Sequence, residues 1–275
     1  MVSRQHSLAT TLNQTLLSRH WVQRRDLLTG LVSRNIKLLY NRSVLGIAWM
    51  LINPLMQLMV YAFVFGVLLP NNAVPNFTSF IFSGLLVWTW FQSALTEATG
   101  AIVQNRALIR QPGFPVSILP VVNVATGLIH FVLSLPILLL FLWKDGVQLQ
   151  WGLLLLPLLM LLQFAFTVSL AYVLAAINVT FRDTQHTLGV LLQMLFYFSA
   201  VFYQVPGQFA AIFNFNPIYL LIQGYRAILL PVDPAVPVAD FNWLPLVGLS
   251  GITLAMLPLG HRIFQQQSER FVEEL

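Results

Sequence analysis

Ionisable side chains are rare in this sequence, and the segment Asn178–His186, NVTFRDTQH, holds three of them. Arg182 lies next to Asp183, with His186 three residues further on, and apolar stretches precede and follow the segment. An ionisable group inside a bilayer indicates a functional site, whereas the same group at the membrane surface can belong to a solvated turn. The chemistry of this segment therefore depends on where the membrane lies along the chain.

Composition places the chain among integral membrane proteins, because 57% of its residues are hydrophobic and 8% are charged, against roughly 25% charged in soluble domains. We predict one transmembrane domain over 1–275, with a cytoplasmic N-terminus (1–42), a six-span region (43–262) and a cytoplasmic tail (263–275). The net charge of +5 is spread over membrane-flanking segments, which favours anionic lipid as a partner and argues against nucleic acid. The absence of cysteine excludes disulfides and thiolate metal sites.

The residues needed for energy coupling or catalysis are missing from the sequence. The only lysines, Lys37 and Lys144, do not follow a glycine, so the chain has no phosphate-binding P-loop. Carboxylates fall in loops, tails or span ends, which argues against an ion-coupled carrier. His130, within the predicted third span, fits a packing or pore-lining histidine better than a one-residue proton relay. We predict a non-enzyme with no cofactor or metal of its own.

Apolar runs of about 20 residues, the length that crosses a bilayer, define six predicted spans. They are Leu45–Leu69, Phe77 to about Thr96, Phe114–Trp143, Trp151–Ile177, about Leu188–Tyr203 and Trp243 to about Gly260. Between spans five and six, two apolar pieces flank Asn-Phe-Asn-Pro and are each too short to cross. This pattern favours a re-entrant or interfacial helical hairpin.

The distribution of Lys and Arg predicts that both termini are cytoplasmic. With the N-terminus inside, twelve of the fourteen Lys and Arg residues fall on the inner side, and only Lys144 and Arg226 fall outside. Trp143, Trp151 and Trp243 then lie at the outer headgroup level. This orientation makes Asn178–His186 a turn at the inner surface, so Arg182 and Asp183 are not buried in the bilayer.

The segment Arg25–Tyr40 precedes the first span and is amphipathic at helical spacing. Leucine, valine and isoleucine share one face, with Asn35 as an exception, and Asp26, Arg34 and Lys37 share the other. The pattern predicts a helix in the inner membrane interface. The alternative is a surface helix of a small soluble domain.

Four segments carry a family resemblance, namely RNIKLLYNRSVLGIAWMLINPLMQL (34–58), QNRALIRQPGFPVSILPVVNV (104–124), NVTFRDTQHTLGVLLQMLFYFSAVFY (178–203) and FNPIYLLIQGYRAILLP (215–231). They resemble the permease subunits of bacterial polysaccharide ABC exporters, the type-2 exporters of O-antigen, capsular polysaccharide or teichoic acid. The resemblance implies an all-α membrane fold with six spans, an N-terminal interfacial helix and two short gate helices between spans five and six. The chain departs from many members at Ser199-Ala200, where they have Ser-Pro and a helix break.

The resemblance also implies partners: a second copy of the chain, two ATPase subunits that bind ATP and magnesium, and a lipid-linked polysaccharide. Docking and coupling to the ATPase would fall to the loop Glu97–Gly113, with Arg106 and Arg110, and to Arg182 and Asp183. Arg24, Arg25 and Arg34 could attract the pyrophosphate of the substrate, although anionic lipid would satisfy them too.

The family's pathway runs between the two copies, along spans one and five, and guides sugar over aromatic side chains. Such rings can slide past the apolar faces of sugars without fixing one register. The candidates here are Trp49, Tyr61, Phe63, Phe196, Tyr197, Phe202 and Tyr203; the alternative is that these rings face lipid or other helices. Rival functions are a drug or lipid exporter on the same scaffold, an ion-coupled secondary transporter, and a membrane scaffold without transport.

Overall fold

The computed structural model describes residues 23, 25–38, 45–68, 76–147, 151–230 and 242–271. The chain forms two compact units, Met1–Val44 and Leu45–Leu275. Across the described ranges the regular structure is entirely helical, which confirms the all-α prediction there. In the first unit, α1 occupies 25–38, and Val32 on its apolar face is buried while Asp26, Arg34 and Lys37 are exposed.

The second unit is a series of helices joined by short turns. After a 3₁₀ turn at Gly46–Ala48 come α2 (Trp49–Ala62, continued by a π-helix over Phe63–Leu68), α3 (Phe77–Gln104), α4 (Arg106–Ile109), α5 (Ile118–Lys144), α6 (Leu156–Thr180, preceded by a 3₁₀ turn at Trp151–Leu155), α7 (Thr184–Phe198), α8 (Ala210–Phe213, preceded by Gly207–Phe209), α9 (Pro217–Leu229) and α10 (Leu244–Ser268).

Helix α3 lies at the centre of the second unit and is buried along most of its length. Helix α5 packs antiparallel to it, since Ser79 near the start of α3 donates a hydrogen bond to Asp145, which follows the end of α5. Midway, Trp90 donates through Nε1 to the carbonyl of Val124 at 3.2 Å. A Cβ on Gly127 would lie 2.7 Å from the Trp90 ring, so the glycine permits this close helix approach.

Helices α6 and α10 run in the same direction as α3. The buried Gln163 donates from Nε2 to the Val87 carbonyl at 3.0 Å, and further along Asn178 donates to the Thr99 carbonyl at 3.0 Å. These bonds satisfy polar side chains that would be costly to bury alone. The helix ends therefore gather at two ends of the unit, called here the Asp145 end and the Arg182 end.

Three of the described helices are long and apolar enough to cross a membrane, namely Ile118–Lys144, Gly152–Thr180 and Leu244–Ser268. They match predicted spans three, four and six, but their bounds differ. Pro115 lies before α5, and α10 extends eight residues beyond Gly260 to Ser268. Predicted span five is also shifted, since α7 begins at Thr184 and ends at Phe198.

Candidate functional site

Five of the seven predicted pathway aromatics form one cluster between α2 and the C-terminal end of α7. The Tyr61 ring of α2 stacks on Phe202 with centroids 6.2 Å apart and planes at 7°, and lies 6.0 Å from Phe196 of α7. Tyr197 lies 5.6 Å from Phe196, and Tyr203 lies 5.3 Å from Phe202. We call these five residues the aromatic cluster. Offset and edge-to-face contacts of this kind hold rings together in preferred geometries.

Two further aromatic residues contact the cluster and were not predicted. Trp88 of α3 lies 5.4 Å from Phe196, and Phe213 of α8 lies 6.4 Å from Tyr203. Trp88 is buried in the α3 core at 2% exposure, so it supports the cluster from behind. No signal in the sequence singles out either residue, because only helix packing brings spans two and five and the short α8 together.

The helices that carry the aromatic cluster have a large uncovered face. Among the described side chains of α2 only Leu58 is buried, and α7 buries Leu188 and Leu192. Trp49 and Phe63, the two other predicted aromatics, are 40% and 53% exposed, so they lie on the uncovered side of the α2 segment. The uncovered face of these two helices is therefore apolar and carries the exposed aromatics Trp49 and Phe63.

No proline marks the C-terminal end of α7, and all four of its last backbone carbonyls accept hydrogen bonds. The last four carbonyls of a helix have no partner within the helix, and here each one finds a donor. Leu195 accepts from the Ser199 hydroxyl, Phe196 from the Ser199 amide, Tyr197 from the Tyr203 hydroxyl, and Phe198 from Nδ2 of Asn216.

Ala200 then takes a left-handed conformation with φ of +50°, which costs a non-glycine residue about 1–2 kcal/mol. Many members of the family that this sequence resembles have a helix break at a Ser-Pro pair. This chain has a break at the same place, Ser199-Ala200, without the proline. Tyr203 and Phe202 lie beyond the break, so the prediction that α7 itself carries them is wrong. They reach the aromatic cluster because the chain turns back at Ala200.

The predicted coupling residues lie at the Arg182 end. Helix α4 carries Arg106, with the exposed Arg110 directly after it, and the turn between α6 and α7 carries Arg182 and Asp183, both exposed. Asn178, just before that turn, is 3% exposed and is bonded to α3 at Thr99. This hydrogen bond therefore fixes the turn between α6 and α7 to the central helix α3.

Glu97 was predicted to begin a loop, but it lies within α3. The helix continues to Gln104 because small and apolar residues (Ala98, Gly100, Ala101 and Ile102) keep it packed against its neighbours. At Gly100 a Cβ would lie 2.6 Å from the Gln104 amide and 3.3 Å from that of Gln185. The connection after α3 thus runs from Asn105 to Ser117 and contains only the four-residue helix α4.

The predicted headgroup arginines lie on the N-terminal unit. Arg25 and Arg34 are exposed on α1, and Arg24 lies outside the described residues. Within the described ranges, His, Asp and Glu side chains form no group of three that could hold a metal ion. The described residues thus offer an aromatic cluster and a polar end as the candidate site.

The family described as ABC-2 type transporter matches residues 26–230 of this chain. The chain belongs to the ABC-2 type transporter family. It is therefore a membrane protein, and the match spans the aromatic cluster, both coupling segments and α9. The prediction of a transporter of this family from the four segments is confirmed.

The chain is also similar along most of its length to proteins of three bacteria. It is 36% identical over 264 residues to the O-antigen export system permease protein RfbA of Myxococcus xanthus, covering 94% of this chain and 99% of that one. The identity to the protein of the same name from Klebsiella pneumoniae is 28%, covering 91% and 95%. The identity to the polysialic acid transport protein KpsM of Escherichia coli is 23%, covering 87% and 93%.

Proposed function

We propose that this ABC-2 transporter chain is the membrane-spanning subunit of an ATP-driven exporter that moves a lipid-linked polysaccharide across the cytoplasmic membrane. The observation that carries the proposal is the aromatic cluster between α2 and α7, in which four rings are half-buried and Tyr197 is exposed. Aromatic faces suit a sugar polymer that must slide, since they bind its apolar faces without a directional cage of hydrogen bonds. The names of the relatives, O-antigen export permease and polysialic acid transport protein, support this class of substrate.

The proposed topology has six spans, formed by α2, α3, α5, α6, α7 and α10. Support comes from the directions of the helices: α3, α6 and α10 run one way, and α5 runs the other. The Arg182 end is proposed to be cytoplasmic, together with both termini, because most of the Lys and Arg lie on that side. Helices α8 and α9, separated by Asn214–Asn216, are proposed as a re-entrant hairpin on the outer side.

Three single cysteines test this orientation, since the natural sequence contains none. Lys144, Gln111 and Gln267 are exposed, so their cysteine variants should keep the fold. In intact spheroplasts, an impermeant thiol reagent is expected to label Lys144→Cys, and to label Gln111→Cys and Gln267→Cys only after lysis. The reverse pattern would overturn the orientation, and equal labelling of all three would contradict the span count.

A homodimer is the proposed assembly, with the open faces of α2 and α7 turned toward the second copy. These helices bury few residues within one chain, while their exposed side chains include Met56, Met59, Val190 and Met194, each more than half exposed. A pathway between two such faces would carry aromatic clusters on both sides. One copy alone supplies only part of that lining.

The Arg182 end of each copy is the proposed docking surface for one ATPase subunit, and the two ATPase subunits bind ATP and magnesium themselves. Arg106, Arg110, Arg182 and Asp183 gather there on short segments fixed to α3 and α6. Helix α1 is proposed to lie in the inner membrane interface, where Arg25 and Arg34 would meet anionic headgroups or the pyrophosphate of the substrate.

The proposed function is tested in a strain that lacks the gene. We expect lipid-linked polymer to accumulate inside the deletion strain, with surface glycan restored by the wild-type chain. The double variant Tyr61→Leu/Phe202→Leu should fail to restore it, because the stacked pair is lost. Trp143→Leu is the matched control, since this aromatic is 79% exposed at the end of α5, and it should restore export. Normal surface glycan in the deletion strain would refute the function, and would leave a drug or lipid exporter as the next hypothesis.

A further inference from the structure

Arg226 of α9 is a buried cation on the outer side of the proposed topology. It is 4% exposed, and its guanidinium carbon lies 3.5 Å from the centroid of the Phe80 ring in α3. A Cβ on Gly84 would come within 2.7 Å of Nη2, so the glycine leaves the space that the guanidinium fills. Burying a cation costs several kcal/mol. Hydrogen bonds at Nη1 and Nη2 offset part of that cost, while the buried Nε has no hydrogen-bond partner among the described residues. Its partners must therefore stay in place.

The partners of Arg226 are backbone carbonyls from two other parts of the chain. Nη1 donates to Ala200 at 2.9 Å, while Nη2 donates to Phe80 at 3.2 Å and also to Val201. Ala200 is the residue in the left-handed conformation, and Val201 follows it. One guanidinium thus joins α9, the first turns of α3 and the chain just beyond α7. The rigid planar fork of arginine presents five donors in fixed directions, which the rotatable ammonium of lysine does not reproduce.

The N-terminal end of α9 also binds the helix break at Ser199-Ala200. Asn216 caps α9 by accepting hydrogen bonds from the amides of Ile218 and Tyr219 through Oδ1. Its Nδ2 donates to the Phe198 carbonyl at 2.9 Å and to the Ser199 hydroxyl at 3.2 Å. Both ends of α9 therefore bind the segment 198–201. Backbone groups so satisfied keep a strained turn stable.

We infer that Arg226 is a positioning residue for the aromatic cluster. It fixes the left-handed turn at Ala200, and that turn sets the direction in which Phe202 and Tyr203 leave the end of α7. Helix α9 and residues 199–203 then move as one body when the pathway opens. We call the contacts of Arg226 and Asn216 with residues 198–201 the joint. The role of its movement in export rests on the proposed function, whereas the joint itself does not.

Two reporter cysteines test the inference in the purified full-length complex. Val201 and Ala175 are both fully buried, the first at the joint and the second within α6. In the Arg226→Met background, we expect an aqueous thiol reagent to label Val201→Cys about tenfold faster or more, because local opening is easier. Labelling of Ala175→Cys should stay unchanged. Arg226→Lys keeps the charge but loses the fork, so it should fall between wild type and Arg226→Met.

The outcomes separate positioning from general stabilisation. If both cysteines react faster by the same factor, Arg226 stabilises the whole fold and the inference is wrong. If neither reacts faster, the joint does not hold the turn and the inference is also wrong. Should Arg226→Met not reach the membrane, Arg226→Lys and Asn216→Ala decide by the same comparison. Export of glycan, measured in parallel, should fall while ATP hydrolysis continues. Because labelling needs no polymer, it stays decisive if the proposed substrate is wrong.

Discussion

Replacing Arg182 with alanine is expected to reduce export about tenfold or more, the size of a typical coupling between sites, while the amount of protein in the membrane stays unchanged. Arg182 is exposed in the turn between α6 and α7, so its loss should alter stability by only about 0.5 kcal/mol. On one side the turn is fixed through Asn178 to α3. On the other it begins α7, which buries only Leu188 and Leu192. A push on the turn would therefore move α7 more readily than α6.

The measurement compares surface glycan, ATP hydrolysis and co-purified ATPase in the deletion strain complemented with each variant. Lys144→Ala is the matched control, because Lys144 is an exposed cation at the Asp145 end, and it should export normally. Arg182→Ala is expected to lose export whether ATPase binding is retained or weakened. Wild-type export by Arg182→Ala would remove the turn from the proposed coupling route.

The sequence was sufficient to predict the membrane class and the approximate positions of the long helices. Apolar runs bounded by turn residues located α5, α6 and α10, because a run of that length cannot be buried in a small soluble core. The end of α3 was misplaced. Glu97 marked the end of a charge-free run, yet the helix continued past it, since helix formation depends on packing as well as on polarity.

The joint around Ala200 could not be predicted from local signals. Alanine is the strongest helix former, and its left-handed conformation here depends on donors from Asn216 and Arg226, which follow it by 16 and 26 residues. From the distribution of Lys and Arg alone, Arg226 is predicted only to be a charge on the outer side. A usable signal was present, because Arg226 is the only Lys, Arg, Asp or Glu between Asp183 and Asp233. A lone charge in so apolar a stretch indicates a specific partner.

The aromatic cluster could be predicted only in part, because its contacts also depend on the turn at Ala200. The family resemblance pointed to the aromatic residues of spans one and five, but which of them meet depends on the turn at Ala200. Phe202 and Tyr203 return toward Tyr61 across that turn, whereas Trp49 and Phe63 stay on the open face.

Replacing Gly260 with leucine or alanine is expected to destabilise the protein without a specific loss of transport. A Cβ at Gly260 of α10 would lie 2.7 Å from the Ser169 carbonyl oxygen in α6. Because that atom belongs to the backbone of a packed helix, the two helices must separate. Overpacking of this kind costs about 1–3 kcal/mol, with leucine at the upper end. The nearby contact between Tyr172 and Phe264, with centroids 5.3 Å apart, would be disturbed as well.

Gly251→Ala is the matched control on the same helix, since a Cβ there meets nothing within 4 Å. It should be neutral or stabilise α10 by up to about 1 kcal/mol, because alanine favours the helix more than glycine does. Thermal unfolding of the purified protein should show a lower midpoint for Gly260→Ala, a still lower one for Gly260→Leu and no decrease for Gly251→Ala. Export per folded molecule should remain near wild type, because α10 packs on α6 and α9 and not on the aromatic cluster. Equal midpoints for Gly260→Ala and Gly251→Ala would show that α10 does not need the close approach at Gly260.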